Sequence, residues 1–221
     1  MPVFENLQLW LDPVARPGPE AMAVDEWLLG EVQVPLLRIY RWQGEWGSLG
    51  YFGSLSEAQK NFPGLQWVRR WTGGGTVDHR EDLTYTLVIP ISHPLAKARG
   101  AESYRLIHEA LAGALERAGV SAHLSSGAEE TGATACFENP VQHDLLGAGN
   151  AKLAGAGQRR TKNGLLHQGS VAIKNIQMDF PPLLAAHLSE RWDAIEVSLP
   201  SEWIGHLVRD RYAAPGWLTR R

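Results

Sequence analysis

A single thiol and a later lysine suggest the first chemistry. Cys136, the only cysteine, sits in Thr134-Ala-Cys-Phe-Glu-Asn-Pro140, a setting more like a loop than an apolar strand. A thiol there acts as a nucleophile if a nearby cation or histidine stabilises its thiolate. Otherwise it is a small buried hydrophobe, the usual fate of free cysteine. Lys152 lies 152 − 136 = 16 positions on and opens Lys152-Leu-Ala-Gly-Ala-Gly157. Small residues around it would let its ammonium approach a ligand closely. A solvated surface charge is the competing reading. Arg159, Arg160 and Lys162 follow and make a local basic patch or a solvated hairpin end.

A second group of residues could hold an anion. Gly73, Gly74 and Gly75 are consecutive, and glycine lets backbone N–H groups approach a ligand. Arg69 and Arg70 precede them and could fork onto a carboxylate or phosphate. No Gly-Lys-Ser/Thr follows, so this is not a P-loop, and Gly147-Ala-Gly149 lacks the third glycine of a dinucleotide fingerprint. A plain tight turn remains the alternative. His79 and His167 stand near glycine-rich turns and could contact a ligand, whereas His108 reads as structural. The histidines show no metal-ligand spacing, and one cysteine excludes a cysteine-rich metal site or an internal disulfide framework.

These groups need a scaffold. Apolar residues at Tyr104, Ile107, Leu111, Ala114, Leu115 and Ala118 follow helical spacing, so Ser103–Gly119 reads as a helix capped by Ser103. A shorter helix is expected over Glu20–Leu29, and two more over Leu183–Trp192 and Ser201–Tyr212. Strands are expected at Leu36–Trp42, Leu65–Thr72, Leu83–Pro90, His143–Leu146, Lys152–Ala156 and Leu165–Ile173. The second and third, joined through the triple glycine, suggest a hairpin-like unit. Residues 125–140 read as a loop. Without strict strand–helix alternation, the class is α+β rather than a doubly wound parallel sheet.

The 221 residues suit one domain with a sizeable core, with no linker to isolate a second. Lys plus Arg is 21 against 24 Asp plus Glu, a net charge of −3. That argues against a general nucleic-acid binder. The first residues lack a secretion signal's basic head and apolar run, and no stretch approaches the roughly 20 apolar residues of a membrane helix. The expectation is a soluble cytoplasmic protein with no membrane partner.

Four blocks, in order from about residue 21 to 173, resemble the lipoate-protein ligase and octanoyltransferase superfamily, which includes biotin protein ligases. They are Ala21-Met-Ala-Val-Asp-Glu26; Ser48-Leu-Gly-Tyr-Phe52; Arg69-Arg-Trp-Thr-Gly-Gly-Gly-Thr-Val-Asp-His79 with Leu83-Thr-Tyr85; and Lys152-Leu-Ala-Gly-Ala-Gly-Gln-Arg-Arg160 with His167-Gln-Gly-Ser170. The resemblance implies a class II biotin/lipoate ligase-like catalytic domain of mixed β-sheets packed with helices over residues 1–221, without the small C-terminal accessory domain of many ligases. It implies Cys136 and Lys152 as catalytic residues. Arg70, Gly73, Gly74, Gly75, His79, Tyr85, Gly155, His167 and Gly169 would bind substrate, with Trp71 and Tyr85 as candidate walls of an acyl tunnel.

Cys136-Phe137, Pro140 and Asp144-Leu145 resemble the cysteine-dependent octanoyltransferase branch. That branch takes the acyl group from octanoyl-acyl-carrier protein and needs no cofactor. Its acceptors would be lipoyl domains of 2-oxoacid dehydrogenase complexes or the glycine cleavage H protein, and the enzyme would be a monomer. Gly75 is instead the ligase-like choice. The alternative is an ATP- and Mg2+-dependent lipoate-protein ligase working through lipoyl-AMP.

Overall fold

The computed structural model describes residues 2–127, 141–173 and 179–220. In chain order the elements are β1 (Phe4–Leu11), α1 (Gly18–Glu31), β2 (Leu36–Tyr40), β3 (Trp46–Leu49), α2 (Leu55–Asn61), β4 (Gln66–Arg69), β5 (Thr76–Asp78), β6 (Leu83–Pro90), α3 (Pro94–Lys97), α4 (Gly100–Arg117), β7 (His123–Leu124) and β8 (Leu145–Leu146). There follow β9 (Lys152–Thr161), β10 (Gly164–Val171), α5 (Phe180–Leu188), β11 (Ser189–Ala194), α6 (Ser201–Leu207), a π-turn at Val208–Tyr212 and α7 (Pro215–Leu218).

Eight strands form one sheet in the order β11-β1-β2-β6-β10-β9-β8-β7, and β4-β3-β5 form a second. β1 runs parallel to both of its neighbours, and the remaining pairs in the large sheet are antiparallel. This is the mixed-sheet α+β architecture expected.

Side-chain alternation sends the large sheet into two cores. On one face Leu87, Leu165 and Val171 pack with Ile107, Leu111 and Leu115 of α4. On the other, Val88 and Leu166 pack with Met22, Val24 and Leu28 of α1. Covered on both faces, β10 is buried along its whole length. Burying each such aliphatic side chain contributes about 1.5–3 kcal/mol. Among the described residues, no helix is long and apolar enough to cross a membrane.

A buried polar core ties the α1 side together. Arg38, inaccessible to solvent, lies between Asp12 (2.7 Å) and Asp25 (2.6 Å). Asp25 also accepts from Thr86 Oγ1 (2.8 Å) and Gln168 Nε2 (2.7 Å). Gln168 Oε1 accepts from Thr72, at the entrance of the triple-glycine loop (2.7 Å). A charge pair shut away from water persists only when it is fully hydrogen-bonded in this way.

Several expectations need correction. The triple glycine does not join a hairpin: β4 and β5 flank β3 on opposite sides, parallel and antiparallel to it. β6 belongs to the other sheet. The helix expected over Leu183–Trp192 ends at Leu188, and Ser189–Ala194 becomes an edge strand beside β1. Ser103 is not a cap; α4 begins at Gly100, and Ser103 is buried in its first turn. β9 runs on to Thr161, and β8 is only two residues long. The strand at Phe4–Leu11 was not anticipated.

Candidate functional site

The site is built where two glycine-rich backbones meet. A Cβ on Gly157 would lie 2.3 Å from the Gly73 carbonyl oxygen, and one on Gly50 only 1.9 Å from that of Gly74. No side chain fits there, so the loop after β4 lies directly between the β3 turn and β9. Gly74 has φ +94°, the left-handed region that glycine enters without strain.

Arg70 fixes the loop's shape. Its Nη2 donates to the carbonyls of Gly73 (3.2 Å) and Gly75 (2.9 Å), and its Nη1 to Ser48 Oγ (2.6 Å). The preceding arginine is spent differently. Arg69 is fully buried and donates to the carbonyls of Gly50, Tyr51 and Gly53, and to those of Trp217, Leu218 and Arg220. It staples the C-terminal turn to the β3 loop, so the two arginines do not form one fork for an anion.

Beside the loop, a narrow cleft is lined by Met22, Tyr40, Trp42, Arg70, Val77 and His79, by Gly155–Gly157 and by residues 168–170. Its α1-side wall carries a polar chain. His79 Nδ1 donates to Asp82 Oδ2 (2.7 Å), since a carboxylate only accepts. That tautomer leaves Nε2 to accept from Ser48 (2.6 Å). Trp42 stacks on the His79 ring at 4.2 Å. Ser170 also donates to Asp82. Ser48 has the neighbours of a hydroxyl nucleophile, yet it is completely buried and engaged by Arg70.

Lys152 stands at the edge of the same cleft. It is buried, with its Nζ 2.6 Å from Asp144 Oδ2. A Cβ on Gly155 would lie 2.8 Å from Lys152 Cε and 3.0 Å from its Nζ, so the ammonium rests against the bare face of that glycine. Asp144 accepts Val141 N–H at Oδ2 (2.8 Å) and the Tyr104 hydroxyl at Oδ1. The Tyr104 oxygen in turn accepts Ala156 N–H (2.8 Å). Burial and the Asp144 charge push the Tyr104 hydroxyl well above its ordinary pKa, so it keeps its proton and donates it.

Thus Arg70, His79, Gly155 and Gly169 come together at the cleft. Gly73–Gly75 abut it, and Lys152 borders it. Tyr85 and His167 lie on the other face of the sheet, beneath α4, joined to each other at 3.1 Å. A Cβ on Gly169 would strike the Tyr85 ring at 2.2 Å. Burial, with His108 and Arg160 adding to it, holds His167 well below the ordinary histidine pKa. His108 is pushed down to about 4, chiefly by burial.

Trp71 is sandwiched by arginines, Arg159 at 4.5 Å and Arg211 at 5.2 Å from its ring. The basic patch of Arg159 and Arg160 divides. Arg159 turns to Trp71, whereas Arg160 bonds to Ser103 of α4 (2.6 Å). Cys136 lies outside the described residues. The sequence reading gives Asp144 only as part of the Asp144-Leu145 resemblance and assigns no role to it or to Tyr104. The carboxylate directly before Leu145 was the signal available for Asp144, and Tyr104 had been read only as part of an apolar stripe.

A family model described as the lipoyl protein ligase A/B catalytic domain matches residues 17–199. The chain belongs to this family. Among lipoyl protein ligase A/B relatives, an octanoyltransferase LipM from Carboxydothermus hydrogenoformans is 35% identical over 181 residues, covering 76% of this chain and 66% of the relative. The octanoyltransferase LipM of Symbiobacterium thermophilum is 34% identical over 253 residues, covering 96% and 89%. Against the first of these, the chain spans just under two thirds of the relative's length. In fold, the chain resembles a structure described as a bi-partite lipoate protein ligase and its E2 lipoyl domain from Thermoplasma acidophilum. The TM-score is 0.70 at 19% identity, over 97% of this chain and 96% of that one.

Proposed function

We propose that this chain is an octanoyltransferase of protein lipoylation. It takes an octanoyl group from an acyl-carrier-protein thioester through a Cys136 acyl-enzyme and gives it to a lysine of a lipoyl domain. The observation that carries the reading is the Lys152 ammonium, ion-paired and shut from water against Gly155, a residue that lines the cleft. The octanoyltransferase relatives support it.

The Cys136 thiolate attacks the thioester carbonyl, and a new C–S bond forms. The carbonyl electrons move onto oxygen and return as the carrier thiolate leaves, to be protonated by the proton that the Cys136 thiol gave up. One thioester replaces another, so no ATP is consumed. The acceptor's neutral amine then attacks the octanoyl-cysteine. The C–S bond breaks, the amine's proton passes to the departing sulfur, and an amide remains. Lys152 supplies positive charge where the oxyanion develops, the kind of preorganised stabilisation that lowers such barriers. Arg70 holds the glycine loop in the shape that leaves the cleft open. A lipoyl domain mixed with octanoyl-acyl-carrier protein and catalytic enzyme should gain the octanoyl group without nucleotide. Modification that requires free lipoate and ATP would replace this reading with the ligase one.

A further inference from the structure

The geometry points to Asp144 and Tyr104 as positioning residues that act through Lys152, setting where its ammonium stands at the cleft. This deepens the proposed function and rests on it. A lysine ammonium is a point charge on a flexible four-carbon stem, and on its own would sample several rotamers around Gly155. Asp144 removes that freedom because each of its carboxylate oxygens is committed: Oδ2 to Lys152 and the Val141 N–H, Oδ1 to the Tyr104 hydroxyl.

Tyr104 anchors the carboxylate to two rigid elements at once. Its ring rides on α4, and its oxygen accepts the N–H of Ala156 in β9. β8 pairs with β9 only at Ala154 and Lys152. Ala156 therefore lies past the end of that pairing, and the tyrosine takes the place of a strand partner. The position of the charge is thereby referenced to Gly155–Gly157, the same backbone that lines the cleft. A helix, a strand and a carboxylate thus determine one ammonium.

The test is a double-mutant cycle on acyl-enzyme formation, followed by intact mass with octanoyl-acyl-carrier protein as donor. Tyr104→Phe removes one oxygen and leaves the ring. It should slow acylation at saturating donor about tenfold per active site, as expected for a sub-ångström displacement of a catalytic group, and leave the half-saturating donor concentration unchanged within about twofold. Asp144→Asn should fall to the rate of Lys152→Ala. In the Lys152→Ala background, Tyr104→Phe should have no further effect, because its path runs through the lysine.

A full rate per active site in Tyr104→Phe, or an undiminished effect of that change without Lys152, would overturn the proposal. If Asp144→Asn does not fold, Tyr104→Phe decides alone. A second readout is independent of activity: labelling of each lysine by an amine-reactive reagent in the folded protein. Lys152 should be protected relative to exposed Lys60, and Tyr104→Phe should raise its labelling about tenfold, with Lys60 unchanged. Unaltered protection would overturn the proposal. Absence of any adduct in the unsubstituted enzyme, with the labelling shift intact, would instead refute the transferase reading.

Discussion

Replacing Gly155 by alanine isolates the electrostatic role of the lysine from the stability of the fold. The new methyl would lie 2.8 Å from Lys152 Cε, 3.0 Å from its Nζ and 3.1 Å from Asp144 Oδ1, where ordinary contact begins at 3.4 Å. The shortfall at Cε is 3.4 − 2.8 = 0.6 Å. The atom that must yield is near the end of a flexible side chain, so the ammonium moves by roughly half an ångström while the strand stays. A displacement of about 1 Å costs about a hundredfold in rate, and half of that corresponds to about tenfold. Overpacking costs about 1–3 kcal/mol, partly offset by the about 0.4–1 kcal/mol that alanine gains over glycine through the unfolded chain. The net loss is therefore about 1–2 kcal/mol, or a Tm decrease of about 2–8 °C at this chain length. Acylation rate per active site, measured beside calorimetry, checks both numbers. Full activity in Gly155→Ala would refute the claim that the ammonium's position matters.

Gly157→Ala should be more damaging, because its methyl meets the Gly73 carbonyl at 2.3 Å and backbone cannot swing away; transfer should be lost even where the protein still melts cooperatively. Arg69→Met removes the charge-assisted hydrogen bonds to six backbone carbonyls; it should cost at least about 3 kcal/mol, at about 1–3 kcal/mol for each carbonyl left unpaired, and expose the turn at Pro215–Leu218 to proteolysis; an unchanged urea midpoint would contradict the staple. Acid should destabilise the fold through His108. Its folded pKa of about 4 lies below the ordinary 6.5, so the unfolded chain binds the proton more readily. Stability is full above pH 6.5 and falls as pH drops towards 4, by about 3 kcal/mol in all (2.5 units at about 1.36 kcal/mol each). His108→Asn, which can still donate to the His143 carbonyl, should reduce that slope in denaturant titrations between pH 4 and 6.5, leaving the part that the likewise depressed His167 contributes.

Much of the scaffold is legible in the residues themselves. The α4 stripe appears at helical spacing because one face alone meets the core. β6 and β10 are legible as dense apolar runs. The edge strand Ser189–Ala194 is not, since it is mostly exposed and carries no alternation to separate it from the helix before it. The triple-glycine block announces a close backbone approach, but not its partner, which is the Gly155–Gly157 backbone rather than a hairpin strand. Arg69 and Arg70 look equivalent in sequence. Only the tertiary path of the C-terminal turn, 148 residues away, separates the staple from the cleft residue. Asp144 is one carboxylate among many until β8 and β9 bring it to Lys152. Tyr104 is one more apolar-stripe position until its hydroxyl is placed.

The central claim is tested most directly by intact mass of the purified enzyme after mixing with octanoyl-acyl-carrier protein, with neither ATP nor acceptor present. The account predicts an octanoyl adduct that maps to Cys136, is absent in Cys136→Ser, and is discharged when an apo-lipoyl domain is added. No adduct, together with lipoyl-domain modification that appears only when lipoate and ATP are supplied, would contradict it.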